Sequence, residues 1–500
     1  MTGRPPFRSV LIANRGEIAV RIVRACRELG MEAVAVHSEA DADALHVRMA
    51  DRSMPIGPTS PAASYLSVER LVEAARAAGV EAVHPGYGFL SENAAFARAV
   101  GDAGIVFVGP PADAIEALGD KLAARRAVAA AGVPLVPGLS VALEDEAPAD
   151  LADLGFPLML KAAAGGGGRG MRRVERPEEM AAALAVARRE AQAAFGDGTI
   201  YAERLISPAR HVEIQLLGDR HGGLVCLGER DCSVQRRNQK LVEESPSPAV
   251  TPEIRAAMFE SARRVSGTVE FHSVATVEFL LDAAGRHYFL EMNTRLQVEH
   301  GVTELVTGLD LVAWQFRVAA GERLPAGLTD RAPEGHAIEV RLYAEDPWDG
   351  FRPVAGDVTT FRLPDGPGVR VDAGVEEGTA LPAAYDPLLA KLLVHAADRP
   401  AAIARLRRAL DETLIGGVQT DAGFLRWLVD DEAFASGLYD TGLIGQRWGD
   451  GPAPDASTVA LAATVAHAAR AVAPGLAPRT PAADGGRAWT DAARREALRQ

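Results

Sequence analysis

The chain has 500 residues, 48% of them hydrophobic, enough to bury more than one core; several domains are expected and disorder is excluded as the main state. A formal net charge of −14 and a pI near 5.4 exclude a general nucleic-acid or anionic-membrane binder, which needs a basic footprint. Cys26, Cys226 and Cys232 are too few and too scattered for a disulfide scaffold or a four-thiolate metal site, and they predict a reducing, cytoplasmic setting.

The opening "MTGRPPFRSVLIANRGE" lacks an apolar signal core, and Pro or Gly interrupts every long apolar run, so neither export nor a membrane span is expected. "SVLIA" (9–13) reads as a strand, Gly16 to Leu29 as a helix closed by Gly30, and "EAVAVHS" (32–38) as the next strand. "EAVHPG" (81–86) and "IVFVG" (105–109) repeat the strand pattern. The alternation predicts a Rossmann-like parallel α/β domain over residues 1–117, though the turn "ANRGEI" lacks the G-x-G-x-x-G fingerprint.

Residues 118–330 form a second unit. An Ala-rich helix runs from Leu118 through Ala131, a link with Pro134, Pro137 and Pro148 follows, and "FPLMLK" enters a run of four glycines as a strand. From 200 to 300 the texture is mostly strand, joined by turns at 218–223 and 282–286, which predicts antiparallel sheet. The Pro/Gly-rich stretch 324–335 marks a boundary before an α+β unit at 336–448, and 449–500 reads as a Pro/Ala-rich tether.

Lysine occurs only at 121, 161, 240 and 391, so 53 − 4 = 49 of the basic residues are arginine. A chain that defaults to arginine keeps lysine where a compact point charge is wanted, as on phosphate. Lys161 opens "KAAAGGGGRGMRRV" (161–174). Gly165, Gly167 and Gly170 match G-x-G-x-x-G only formally, because no helix follows directly, and Met171 stands where a Walker A lysine would be. The run is a linker or a glycine flap whose backbone N–H groups meet phosphates; Lys161 and Arg169 favour the flap.

In "EMNTRLQVE" (291–299), Glu291, Asn293, Arg295, Gln297 and Glu299 occupy alternate positions and share one face of an extended chain. They would span roughly 26 Å at about 3.3 Å per residue, so the face serves two neighbouring ligands or bends. A four-residue loop at 283–286 would set Glu278 of "VATVEFLLD" opposite Glu291. Facing carboxylates repel unless a cation bridges them or one is protonated, and with Asn293 they make a hard oxygen set suited to Mg²⁺. His211, Glu213 and Gln215 alternate likewise, as do Glu339, Arg341 and Tyr343; alone, each set also fits an ordinary polar strand surface. Lys391 reads as structural and the cysteines as core.

The motifs "IANRGEIA", "HPGYGFLSEN", "GDK", "GGGGRGM", "RHVEIQ", "ERDCSVQRRNQK", "EMNTRLQVEH" and "YDPLLAKL" together resemble the biotin carboxylases, the ATP-grasp component of biotin-dependent acyl-CoA carboxylases, over about residues 7–445. The resemblance implies a pre-ATP-grasp domain, an ATP-grasp domain with a mobile lid at about 137–208, and a C-terminal domain. It implies carboxylation of biotin on a carrier by ATP and bicarbonate through carboxyphosphate. Lys121, Lys161, Gly166, Gly167, Glu203, Arg204, Ile206, His211, Gln235, Glu278 and Glu291 would bind ATP. Glu278, Glu291 and Asn293 would hold Mg²⁺ or Mn²⁺.

By the same resemblance, Lys240, Arg295, Gln297, Val298 and Glu299 would hold bicarbonate, with Glu299 as base, and Arg341 would hold the biotin oxygen. Glu299 would need its proton acceptance improved by burial or substrate contact. Partners would be a biotin carboxyl carrier and a carboxyltransferase, with a homo-oligomer expected. No lysine follows a methionine, so the biotin is expected on another chain or an extension. Asn238 stands where histidine is frequent, Gly301 where proline is, and the glycine run is one shorter than in some members; no charge is lost. Rival readings are a carbamoyl-phosphate-forming ligase and a non-catalytic nucleotide-binding subunit.

Overall fold

Five short runs near the N-terminus become parallel strands because helices cover both faces of their sheet. They are β1 (Ser9–Ile12), β2 (Glu32–His37), β3 (Arg52–Pro55), β4 (Ala82–His84) and β5 (Val106–Phe107), in the order β3-β2-β1-β4-β5. All four β1 residues are buried. Helix α1 (Gly16–Glu28) ends where Gly30 takes φ 71, a left-handed turn that costs glycine nothing. The edge strand β3 was not legible: "RSMP" is short, polar and mostly exposed. The computed structural model of the chain describes residues 5–139, 143, 154–163, 171–449 and 451.

The helix expected to run unbroken from Leu118 is two helices. One ends at Gly119, and α2 (Lys121–Ala130) starts afresh. Asp120 causes the break: its backbone is extended and its carboxylate accepts from the Ala123 N–H at 2.9 Å. Beyond it β6 (Leu158–Ala162) pairs antiparallel with β7 (Arg172–Val174) and with β8 (Ile200–Arg204). The arms of the expected glycine hairpin are therefore present, while the glycines themselves, including Gly166 and Gly167, lie outside the described residues, as does most of the 449–500 tether. Helix α3 (Met180–Phe195) covers this small sheet with Met180, Leu184, Ala187 and Ala191, one stripe at helical spacing.

Eight of the remaining strands form one antiparallel sheet. These are β9 (Ala209–Gly218), β10 (Leu224–Arg236), β11 (Gln239–Ser245), β12 (Ser273–Asp282), β13 (His287–Asn293), β14 (His336–Tyr343), β15 (Val369–Ala373) and β16 (Leu388–Ala396). Their order is β13-β12-β9-β10-β11-β14-β16-β15, so the sheet runs unbroken across the Pro/Gly-rich stretch at 324–335. Its apolar face carries Val212, Ile214, Val277 and Phe279 under helix α4 (Pro252–Ser266). That helix corrects the expectation of mostly strand between 200 and 300. Its start signals were there to read: Thr251 accepts from the Ile254 N–H and Pro252 fills the first turn. The opposite face is polar and lies under helix α5 (His300–Thr307).

On the apolar side, helix α6 (Arg399–Glu412) is tied down by a buried carboxylate. Glu244 accepts from His336 Nε2 at 2.6 Å, from Arg399 Nε at 2.7 Å and Nη2 at 3.0 Å, and from the Tyr439 hydroxyl. Burial raises its proton affinity, but His336 and Arg399 outweigh that and hold the carboxyl at about 2. A carboxyl depressed on folding from its ordinary 4.5 adds about 3 kcal/mol above pH 4.5, lost as pH falls toward 2. Urea unfolding of wild type and E244Q is expected to show a gap of that order at neutral pH that closes in acid.

Candidate active site

Register on the polar face brings the site together. Glu278 on β12 lies opposite Glu291 on β13 and also opposite Glu213 on β9; Glu213 in turn lies opposite Arg230 on β10. The Glu278–Glu291 juxtaposition was expected, though by a different route. The hairpin pairs Leu281 with His287, one step off the expected register, and an irregularity between Glu278 and Phe279 restores it. "EMNTRLQVE" does bend: β13 ends at Asn293, and residues 294–299 turn across the sheet face into α5. Lys391, fully buried, holds this segment by donating to the Val298 carbonyl at 2.6 Å.

Lys240 is the centre of the cluster. The two-residue turn Arg237-Asn238, both with positive φ (48 and 67), folds β11 back on β10. Asparagine tolerates that left-handed backbone well, which accounts for its place there. The Lys240 amine lies 2.7 Å from Glu213, 3.0 Å from Glu278 and 2.7 Å from Glu299. Glu299 also takes Arg341 at 2.9 Å, and Glu278 lies 3.1 Å from His211 Nε2. Fully buried Arg230 spans Glu213, Gln215, Thr276 and Thr303.

Charge balance sets the proton affinities. Burial alone would raise Glu278 and Glu299, yet Lys240 with His211 holds the first, and Lys240 with Arg341 and Arg230 the second, below the ordinary carboxylate range. Of the two ways in which the proton acceptance of Glu299 could be improved, burial does not supply it, because in the resting site Lys240, Arg341 and Arg230 outweigh burial, and substrate contact is left. His211 is depressed by burial and raised further by Glu278, for a net rise.

The other expected residues fall around this centre. Arg295 lies on Glu92 at 2.8 Å, on the Asn293 side-chain oxygen at 3.0 Å and on Gln297 at 2.9 Å. Gln297 donates to Glu278 at 3.2 Å, and Gln235 pairs with Lys240 across the β10–β11 ladder. Lys121, first residue of α2, reaches Glu291 at 3.2 Å. Lys161 and Glu203 form a separate cluster on the small sheet, 2.5 Å apart, with buried Arg125 also on Glu203. The Arg204 side chain is exposed, and Ile206 follows β8 half-buried.

A divalent ion fits the Glu278–Glu291 hairpin. The donors are hard oxygens on one face, and the amines of Lys240 and Lys121 and the His211 ring lie against the two carboxylates. Asn293 donates to Glu278 at 3.0 Å while its oxygen faces Arg295. The sequence reading missed Arg230, Glu243, Cys232, Arg125 and Glu92. Glu92 sits in the quoted "SEN", and Arg230 and Cys232 in "ERDCSVQ", but only the cross-strand register reveals what they face.

A parallel α/β domain, a small three-stranded sheet and a large antiparallel sheet with paired acidic residues define an ATP-grasp ligase. Family models match accordingly: "Biotin carboxylase, N-terminal domain" at residues 6–115, "Carbamoyl-phosphate synthase L chain, ATP binding domain" at 120–327, and "Biotin carboxylase C-terminal domain" at 339–446. The biotin carboxylase of Halalkalibacterium halodurans is 50% identical over 440 residues, 88% of this chain and 97% of that one. The Campylobacter jejuni biotin carboxylase structure superposes with TM-score 0.85 at 42% identity, covering 88% and 99% of the two chains. The biotin carboxylase domain of Hydrogenobacter thermophilus 2-oxoglutarate carboxylase, a dimer solved with MgADP, ADP and bicarbonate, gives 0.84 at 43%, covering 88% and 97%. The chain belongs to the biotin carboxylase family of ATP-dependent ligases.

Proposed function

We propose that the chain carboxylates biotin on a carrier, using ATP and bicarbonate by way of carboxyphosphate. The observation that carries this reading is the convergence of Lys240 on Glu278 and Glu299, which sets an acidic metal-binding hairpin beside an anion pocket with a carboxylate in it. Lys121 and Lys161 meet the nucleotide phosphates, the glycine flap covers them, and Glu203, Arg204 and Ile206 line the base. Mg²⁺, or Mn²⁺ in its place, held by Glu278, Glu291 and Asn293, supplies charge compensation for the transferred phosphoryl group.

Bicarbonate displaces carboxylates from Lys240 and Arg295, with Gln297 and Val298 at its edge. Glu299 takes its proton as its oxygen attacks the terminal phosphorus and the bond to ADP breaks. Carboxyphosphate then breaks into CO2 and phosphate, the phosphate takes the N1′ proton of biotin, the freed nitrogen adds to CO2, and Arg341 holds the anionic ureido oxygen. The Arg341 Nε is buried with no hydrogen-bond partner among the described residues, a donor left over for such an oxygen.

The carrier and a carboxyltransferase are the partners this chemistry requires, and a homodimer is the expected assembly. Three buried, unpaired cysteines accord with a cytoplasmic setting. Among the described residues no helix is long and apolar enough to cross a membrane. Purified protein is expected to cleave ATP only with bicarbonate, faster with free biotin, and to stop on chelation by EDTA until Mg²⁺ is restored. Cleavage driven by an amine donor and indifferent to biotin would favour a carbamoyl-phosphate-forming ligase; no cleavage would favour a nucleotide-binding subunit.

A further inference from the structure

Arg341 stands among more carboxylates than one guanidinium can balance. Glu299 lies 2.9 Å from it, and Glu243 forms a close ion pair with it. Glu243, on β11, is the register partner of Glu339 on β14, two residues before Arg341 on the same strand. Both glutamates are fully buried, and neither oxygen of Glu339 meets a hydrogen-bond donor among the described residues.

Every element packed on Glu339 limits what can balance it. Its own strand supplies Arg341, which is committed to Glu243 and Glu299. From β16 comes Lys391, whose amine is held by the Val298 carbonyl at 2.6 Å and Glu17 at 3.4 Å, with Asp372 at 3.9 Å. β11 supplies Glu243, whose charge is itself partly offset by Lys240 of the same strand. The start of α5 brings Glu299, His300, whose Nδ1 is bound to the Gln297 carbonyl, and Gly301. A Cβ on Gly301 would sit 3.2 Å from Glu339 Oε2 and 2.4 Å from Leu393 Cδ2, so the helix backbone closes over the carboxyl. Facing buried carboxylates do not both ionise when the nearest cations, Arg341 and Lys391, are already engaged by Glu243 and Glu299 and by Glu17 and the Val298 carbonyl.

We propose that Glu243 and Glu339 carry one proton between them, resting on Glu339, and that this proton spares Arg341 a third opposing charge, so that its guanidinium can hold an anionic oxygen of the acceptor substrate. Glu339 is then a positioning residue acting through Arg341, and this role rests on the reading of Arg341 given above. Two further facts agree. Burial drives the Glu339 carboxyl well above the ordinary range, with Lys391 offsetting only part of the rise. Burial also brings Glu243 to about 7 against the pull of Arg341.

Infrared difference spectra of the full chain at neutral pH are expected to contain a protonated-carboxyl C=O band that disappears in E339Q. It should also fade in E243Q, where Glu339 loses the charge opposing its ionisation and becomes the counter-ion of Arg341. In bicarbonate-dependent ATP cleavage, the wild-type KM for biotin should rise about tenfold from neutral to alkaline pH as Glu339 ionises, the scale of one charge-assisted hydrogen bond. In E339Q, which cannot ionise, it should stay flat, and the KM for ATP should move in neither protein. A wild-type spectrum with no band removable by E339Q, or an equal alkaline rise in both proteins, would overturn the proposal. Bicarbonate-independent ATP cleavage would instead remove the carboxylase reading of Arg341, and the infrared result would still decide where the proton rests.

Discussion

Replacing Lys240 by methionine is expected to lower bicarbonate-dependent ATP cleavage by about 10²–10³-fold, the usual loss when one preorganised charge is removed from a buried site. The same change should cost about 3 kcal/mol of stability, the lower end for breaking a buried ion pair. The reason lies in how the charges are shared. Lys240 touches Glu213, Glu278 and Glu299, but each keeps a second cation: Arg230, His211 and Arg341 respectively. Loss of the amine therefore weakens three contacts without stranding any carboxylate. K240R separates the two effects, because it restores charge but cannot put one compact amine at 2.7 Å from Glu213 and Glu299 together. Thermal unfolding of K240R should recover most of the loss while turnover stays low. Turnover within a few-fold of wild type in K240M would remove Lys240 from the anion site.

Much of this arrangement was legible because strand alternation is a strict rule. Glu278, Glu291 and Asn293 had to share a face once a hairpin was read, and a one-residue error in the loop was absorbed by the irregularity beside Phe279. What could not be read was pairing between strands distant in sequence. Arg230 looks like any surface arginine until β10 lies beside β9 and buries it on Glu213. Glu243 and Glu339 lie nearly a hundred positions apart and meet only because one sheet crosses the Pro/Gly-rich stretch that the sequence marks as a boundary. The helix at Pro252–Ser266 was missed for a different reason: strand texture on both sides outweighed a clear Thr-Pro-Glu start.

Glu299→Gln tests the proton transfer alone. Glutamine keeps the size and one acceptor oxygen, and Lys240 and Arg341 retain Glu213, Glu278 and Glu243, so stability should fall by only about 1–2 kcal/mol. Turnover should fall by about 10²–10⁴-fold, the range for a general base, with the KM for bicarbonate changed a few-fold at most. The depressed proton affinity of Glu299 in the resting site makes a further point about pH. The carboxylate is ionised throughout the neutral range, so protonation of the free enzyme at Glu299 cannot limit activity until pH falls below the ordinary carboxylate region. A base held that low is weak, and it gains strength when arriving bicarbonate draws Lys240 toward itself, removing the largest of the charges that suppress it. Affinity for the anion and strength of the base thus come from the same movement of charge. E299Q should bind bicarbonate while failing to turn it over; an E299Q enzyme with near-normal turnover would place the base elsewhere.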